Sequence, residues 1–174
     1  MRHAEAGEAT QGLTDFDRCL TVEGTEIAQK TGGLLAQLRI TIDRVICSSA
    51  VRTHETARLV ASVVCAAAPV VTRDQLYNAS GDSFAEAIAQ EMFDDESSVL
   101  IVGHNPGIAS LMCQWAEKRL SVPPATLTIF QFAKSDWSEC IRRQLSKPKL
   151  TCVIHDGEVW WREPSSETPI ETED

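Results

Sequence analysis

Four residues carry side chains suited to one kind of chemistry. Arg2 and His3 stand together at the start of the chain, in "MRHAEAG", with only Met1 before them. Arg52 lies in "SSAVRTHETA" and His104 in "VGHNPG". An imidazole can attack an electrophile or donate to an oxyanion, and a guanidinium matches a phosphate with paired donors. Arg52 falls in the first turn of a predicted helix, where a cation opposes the helix dipole. A bound anion would reverse that penalty, because helix amides and guanidinium could hold it together. The alternative for Arg52 is a solvated surface arginine. His104 follows a buried strand and precedes a helix N-terminus. Its alternative is a histidine packed against a loop.

These residues need a scaffold, and the hydrophobic spacing supplies one. Thr21 reads as an N-cap, with Ile27, Leu34, Leu35 and Leu38 at helical spacing, so a helix spans about 22–38. "RVICSS" (44–49) reads as a buried strand, and Ser49 as the cap of a helix with its apolar stripe on Ala57, Val60, Ala61 and Val64. "PVVT" (69–72) is a short strand. Ser83 and Glu86 read as a capping box before Phe84, Ala87, Ile88 and Met92. "SVLIVG" (98–103) is a second apolar strand, after which Asn105 as N-cap and Pro106 as first residue open a helix. "ATLTIFQF" (125–132) alternates as a strand. "WSECIRRQLS" and "TCVIHDGEVWW" read as a further strand pair or extension, with Asp156-Gly157 as a turn. Strands alternating with helices predict an α/β fold: a three-layer sandwich, its central sheet mostly parallel, with helices on both faces. Ligands in such sheets gather outside the carboxyl ends of the strands, where Arg52 and His104 fall.

Composition narrows the class. A chain of 174 residues with 43% hydrophobic content is most simply one domain. Its net charge is −9, and the stretch Glu163 to Asp174 holds five acids and no Lys or Arg, which predicts a disordered acidic tail over 163–174. An acidic chain without a basic run argues against nucleic-acid binding. The absence of an apolar run of about 18 residues argues against a membrane span. Cys19, Cys47, Cys65, Cys113, Cys140 and Cys152 form no C-x-x-C pair, which sets aside zinc-ribbon and thioredoxin readings. Reduced cysteines and no signal peptide fit a cytoplasmic protein, and nothing suggests more than a monomer.

Taken in order, Arg2-His3, Arg52 in S-x-x-x-R and His104 in G-H-N-P resemble the histidine phosphatase superfamily, also called the phosphoglycerate mutase-like fold. Within it, "RHAEA", "DFDRCLTVEGTEIAQKTG", "DRVICSSAVRTHETA" and "VGHNPGIASL" resemble the small bacterial phosphohistidine phosphatases of the SixA type. The resemblance covers residues 2–111 and implies a histidine phosphatase domain over 1–162. It implies that His3 attacks phosphorus and becomes phosphohistidine, with Arg2, Arg52 and His104 as the phosphate pocket, no cofactor and no metal. Two guanidiniums and an imidazole would neutralise the equatorial oxygens in the transition state. Arg18, in "DFDRCLT", is a further phosphate contact or a structural partner of an acid such as Asp15. His54 and His155 match no motif and read as surface or structural.

The general acid is less defined. The connection "RDQLYNASGDS" (73–83) is short, and Asp82 is the nearest candidate, with a first-turn helix acid as its rival role. A phosphohistidine substrate can dispense with an acid, because its imidazole leaving group is protonated near neutral pH. A short connection also leaves the site open to a protein surface. The expected substrate is therefore a phosphorylated protein. The alternatives are a small phosphate ester, or a catalytically dead phosphate- or phosphoprotein-binding module. One departure stands out: family members carry an apolar strand of about five residues before Arg-His, and here only Met1 precedes it. Four such buried side chains would contribute roughly 6–12 kcal/mol. The expectation is that the first central strand is missing and that a longer chain ending in "MRHAEAG" is the working protein.

Overall fold

A computed structural model describes residues 1–9, 12, 14–64, 67–133, 137–142 and 147–164. The elements run α1 (Val22–Gln37), β1 (Arg44–Ser48), α2 (Val51–Val64), β2 (Val70–Arg73), α3 (Gly81–Glu91), β3 (Val99–Val102), α4 (Gly107–Ala116), β4 (Leu127–Gln131), α5 (Trp137–Arg142), β5 (Lys149–His155) and β6 (Glu158–Arg162). Short 3₁₀ turns at Asp15–Asp17 and Asp74–Leu76 interrupt two of the loops. Thr21 caps α1 as its side chain accepts from the Gly24 N–H.

β1 is buried along its whole length and pairs in parallel with β2 on one side and β3 on the other. Its side chains alternate between two cores. Val45 and Cys47, with Leu100 and Val102 of β3, pack against Ala28 and Leu35 of α1 and Ala57 and Val60 of α2. Ile46 and Ile101 point the other way, onto Phe84 and Ile88 of α3 and Ile108 and Leu111 of α4. Helices thus cover both faces of the sheet, as the period-2 alternation of strand side chains requires.

Several local expectations change. The sheet is parallel only over β2-β1-β3, whereas β4-β5-β6 is a separate antiparallel sheet. "WSECIR" is helix α5 rather than strand, and 143–146 lie outside the described residues. Trp137 and Ile141 pack on the α3/α4 core, with Cys140 buried between them in the chain. The cap of α3 is Ser80, which accepts from the Ser83 N–H, so the Ser83/Glu86 box does not form the cap. α4 begins at Gly107 with Pro106 as its N-cap, while the Asn105 amide turns to the Val122 carbonyl at 3.0 Å. Ser49 does not cap α2, since its buried hydroxyl has no partner. The Asp156-Gly157 turn joins β5 to β6 as expected, both residues at positive φ. Glu163 pairs with Lys149 and its N–H donates to the Thr151 carbonyl, so it is tied to β5; the rest of the expected tail, 165–174, lies outside the described residues.

The two sheets face each other across a gap. Among the described residues no strand joins β3 to β4. A cavity of about 180 Å³ lies there, lined by Met1, Leu100, Ile101, Trp115, Leu127 and Ile129. Met1 enters one end, its buried ammonium donating to the Ile101 carbonyl at 2.7 Å. Burial pushes that ammonium down to about 5. An extended apolar segment before Met1 would fill this gap beside β3. Each side chain buried there contributes about 1.5–3 kcal/mol, against about 1–2 kcal/mol for each ordered residue. A chain carrying five added apolar residues before Met1 should therefore unfold at higher urea concentration. An unchanged or lower midpoint would contradict this.

Candidate active site

Backbone bonds on both sides hold the start of the chain. Arg2 bridges Gly103 in parallel register, and its N–H donates to the Thr126 carbonyl at 2.9 Å. The His3 N–H donates to the Gly103 carbonyl at 3.0 Å, and the His3 carbonyl accepts from the Ala125 N–H at 2.9 Å. The Ala4 N–H is taken by Thr56 Oγ1 of α2 at 3.0 Å. Two glycines frame the other half of the site. A Cβ on Gly103 would fall 2.3 Å from the Phe84 ring, and one on Gly107 would fall 1.9 Å from the Ala79 carbonyl. "VGHNPG" can carry His104 between β3 and α4 only because these two positions bear no side chain.

The fold brings Arg2, His3, Arg18, Arg52 and His104 to one open pocket of about 320 Å³. His3, Arg52 and His104 are buried, and the two imidazoles meet edge to face with centroids 5.2 Å apart. His3 Nδ1 donates to the Ala4 carbonyl at 2.7 Å, and Nε2 accepts from Arg52 Nε at 3.3 Å. These bonds place the ring proton on Nδ1 and leave the lone pair on Nε2. Burial, reinforced by the neighbouring arginines, pushes His3 down to about 4 and His104 to about 3, so both are neutral near pH 7.

The guanidiniums are held from behind. Arg2 Nη1 donates to the Val122 carbonyl at 2.8 Å, and its buried Nε has no protein partner. Arg52 Nη2 pairs with Asp15 Oδ2 at 2.9 Å, and Nη1 bonds to the Asp15 carbonyl. Arg18 Nη1 pairs with Asp15 Oδ1 at 2.9 Å, while its Nε and Nη2 take the carbonyls of Gly7 and Ala6. Arg18 thus lines the pocket and also forms the expected salt bridge. The Tyr77 hydroxyl adds a third bond to Asp15 at 2.8 Å, and its ring packs edge-on to His104. The Arg18 and Tyr77 bonds, with Arg52, hold the Asp15 carboxyl well below the usual carboxylate range.

Asp82 is not brought to the site. It sits in the first turn of α3 and lines a different cavity, beside Trp115. His155 is structural, bonded to Thr126 Oγ1 at 2.9 Å, and His54 is an exposed residue of α2. Three contributors escaped the sequence reading: the Asp15–Arg52 pair, Tyr77, and Ser48, whose hydroxyl lies 2.9 Å from His104 Nε2. The first two are long-range contacts that leave no periodic signal. Ser48 is one position from the serine taken as a cap. Among the described residues no group of His, Cys, Asp and Glu could hold a metal ion.

The pocket thus gathers two buried neutral imidazoles and three guanidiniums, with Arg2 Nε and His104 Nδ1 lacking a protein partner. The profile of the histidine phosphatase superfamily (branch 1) matches residues 1–84. An uncharacterised protein of Mycobacterium leprae is 33% identical over 114 residues, 64% of this chain and 68% of that one. The chain thus spans about two thirds of that relative's length. A structure from Nakamurella multipartitia, described as a candidate phosphohistidine phosphatase SixA, is 27% identical with a TM-score of 0.73. The match covers 89% of this chain and 92% of that one. The protein histidine phosphatase SixA complexed with tungstate shares the fold at 16% identity and TM-score 0.74, over 90% of this chain and 94% of that one. The chain belongs to the histidine phosphatase superfamily. It is a phosphatase of the histidine-nucleophile class.

The two depressed imidazoles make stability depend on pH. In the unfolded chain each takes a proton below about pH 6.5, whereas the folded ones do so only near about 4 and about 3. Across that window the unfolded chain binds more protons, so stability is full above about pH 6.5 and falls as pH drops toward 4. The urea midpoint should follow this course and flatten in the His3→Gln/His104→Gln double variant. Equal pH dependence in both chains would contradict the assignment.

Proposed function

We propose that this chain is a phosphohistidine phosphatase that acts on a phosphorylated protein with His3 as nucleophile. The observation that carries the reading is His3 itself: Nδ1 is tied to the Ala4 carbonyl, and Nε2 carries its lone pair into a pocket of cations. In the first step His3 Nε2 attacks phosphorus and forms a P–N bond as the bond to the leaving group breaks. Arg2, Arg52 and Arg18 neutralise the phosphoryl oxygens, and the His104 ring hydrogen-bonds to them, while charge spreads over them. In the second step water attacks the phosphoryl group, the P–N bond to His3 breaks, and phosphate leaves with His3 neutral again.

The leaving group supports the substrate class. Two carboxyls line the pocket, Glu5 and Asp15; Asp15 is engaged by Arg18, Arg52 and Tyr77 and is held ionised, so it has no proton to give. An alkoxide leaving from an ester needs such a proton. An imidazole leaving from phosphohistidine carries its own near neutral pH. The pocket also opens at the surface, where a protein-borne side chain can enter. The structural resemblance to phosphohistidine phosphatases points the same way. No helix among the described residues is long and apolar enough to cross a membrane. We place the chain in the cytoplasm as a monomer; the described cysteines, Cys19, Cys47, Cys113, Cys140 and Cys152, are free thiols, which fits a reducing compartment.

The test compares a phosphohistidine protein with an alkyl phosphate ester. Release from phosphohistidine should be much faster, and His3→Ala should lower it by at least about 10³-fold. Comparable rates on the alkyl ester would favour a small-metabolite phosphatase. Phosphate binding without turnover, in this chain and in one extended before Met1, would favour a binding module.

A further inference from the structure

Ser48 ends β1 and is fully buried beneath the pocket. Its oxygen lies 2.9 Å from His104 Nε2 and accepts from the Ala50 N–H at 3.4 Å. The hydroxyl is fully buried, so its hydrogen needs an acceptor. Among the described contacts, His104 Nε2 is the one acceptor within reach. A hydroxyl donating there requires a lone pair on Nε2. His104 is neutral near pH 7, so its single ring proton then sits on Nδ1. That atom is buried and has no protein partner, although His104 lines the phosphate pocket. A buried N–H without an acceptor is unfavourable unless a ligand supplies one.

We propose that Ser48 is a positioning residue: by donating to His104 Nε2 it fixes the Nδ1–H tautomer and so turns His104 into a hydrogen-bond donor for the phosphoryl group. The inference rests on the phosphate-site reading above. The two imidazoles then share one tautomer and present opposite atoms. His3 offers the Nε2 lone pair because a carbonyl holds its Nδ1–H. His104 offers the Nδ1–H because a hydroxyl holds its Nε2. With the other tautomer, His104 would turn a lone pair toward an anion and oppose binding.

Nitrogen NMR of the ¹⁵N-labelled full chain tests this at pH 7. The four histidines are few enough to assign, His104 by the signals lost in His104→Gln. The result expected is a protonated Nδ1 and an unprotonated Nε2 at His104, with the Nδ1–H resonance moving on addition of inorganic phosphate. In Ser48→Ala the proton should redistribute toward Nε2, and kcat should fall about 10–100-fold, somewhat less than loss of a whole oxyanion donor. Ser48→Thr, which keeps the hydroxyl, should restore the tautomer. A wild-type chain with the proton on Nε2 would overturn the proposal, as would Ser48→Ala with tautomer and phosphate response intact. The tautomer and phosphate readings need no turnover. A chain inactive on every substrate would sink the functional reading and still decide the role of Ser48.

Discussion

The site depends on four residues clamped by their backbone. Met1 to Ala4 contribute too few side chains to anchor themselves, yet main-chain bonds to Ile101, Gly103, Ala125 and Thr126 hold them from both sides. A segment bonded on both sides has little freedom to shift, because a slip of one residue would turn His3 to the opposite face. The Thr56 hydroxyl adds a tie from α2, the helix that also carries Arg52. His3 and Arg52 are thus positioned by one helix and one short backbone-bonded segment.

The second constraint is electrostatic. Burying guanidiniums is unfavourable unless their hydrogen bonds are met and their charge is answered. Arg52 is 4% exposed, and Asp15 answers it with both a carbonyl and a carboxylate oxygen. Asp15 is half exposed at the pocket rim, which fixes Arg52 without filling the space a phosphate needs. Burial, aided by the same positive field, keeps His3 and His104 neutral. A neutral imidazole is what a nucleophile requires, and it also makes the placement of each ring proton decisive.

Much of this was legible in the sequence. The continuous apolar runs at 44–49 and 98–103 announced buried strands, and the odd cation in the first turn of α2 marked a side chain that the fold buries at the pocket. Other features were hidden for physical reasons. Trp137, Cys140 and Ile141 follow helical spacing, but the window is too short to separate a one-sided helix from a strand by pattern alone. Asp82 is near the site in sequence, yet the first turn of α3 carries it to another cavity. The cap of α3 moved from Ser83 to Ser80, three residues, because both are serines before the same apolar stripe. Asp15 and Tyr77 reach Arg52 and His104 across loops, where no period exists to read.

The most direct measurement is to trap the phosphoenzyme. The chain would be mixed briefly with a phosphohistidine protein, quenched in alkali and mapped by mass spectrometry. The account predicts one base-stable, acid-labile phosphoryl group on His3, absent from the His3→Ala variant. A phosphoryl group on any other residue, or phosphate released from an active chain with none trapped under any quench, would contradict a covalent step on His3.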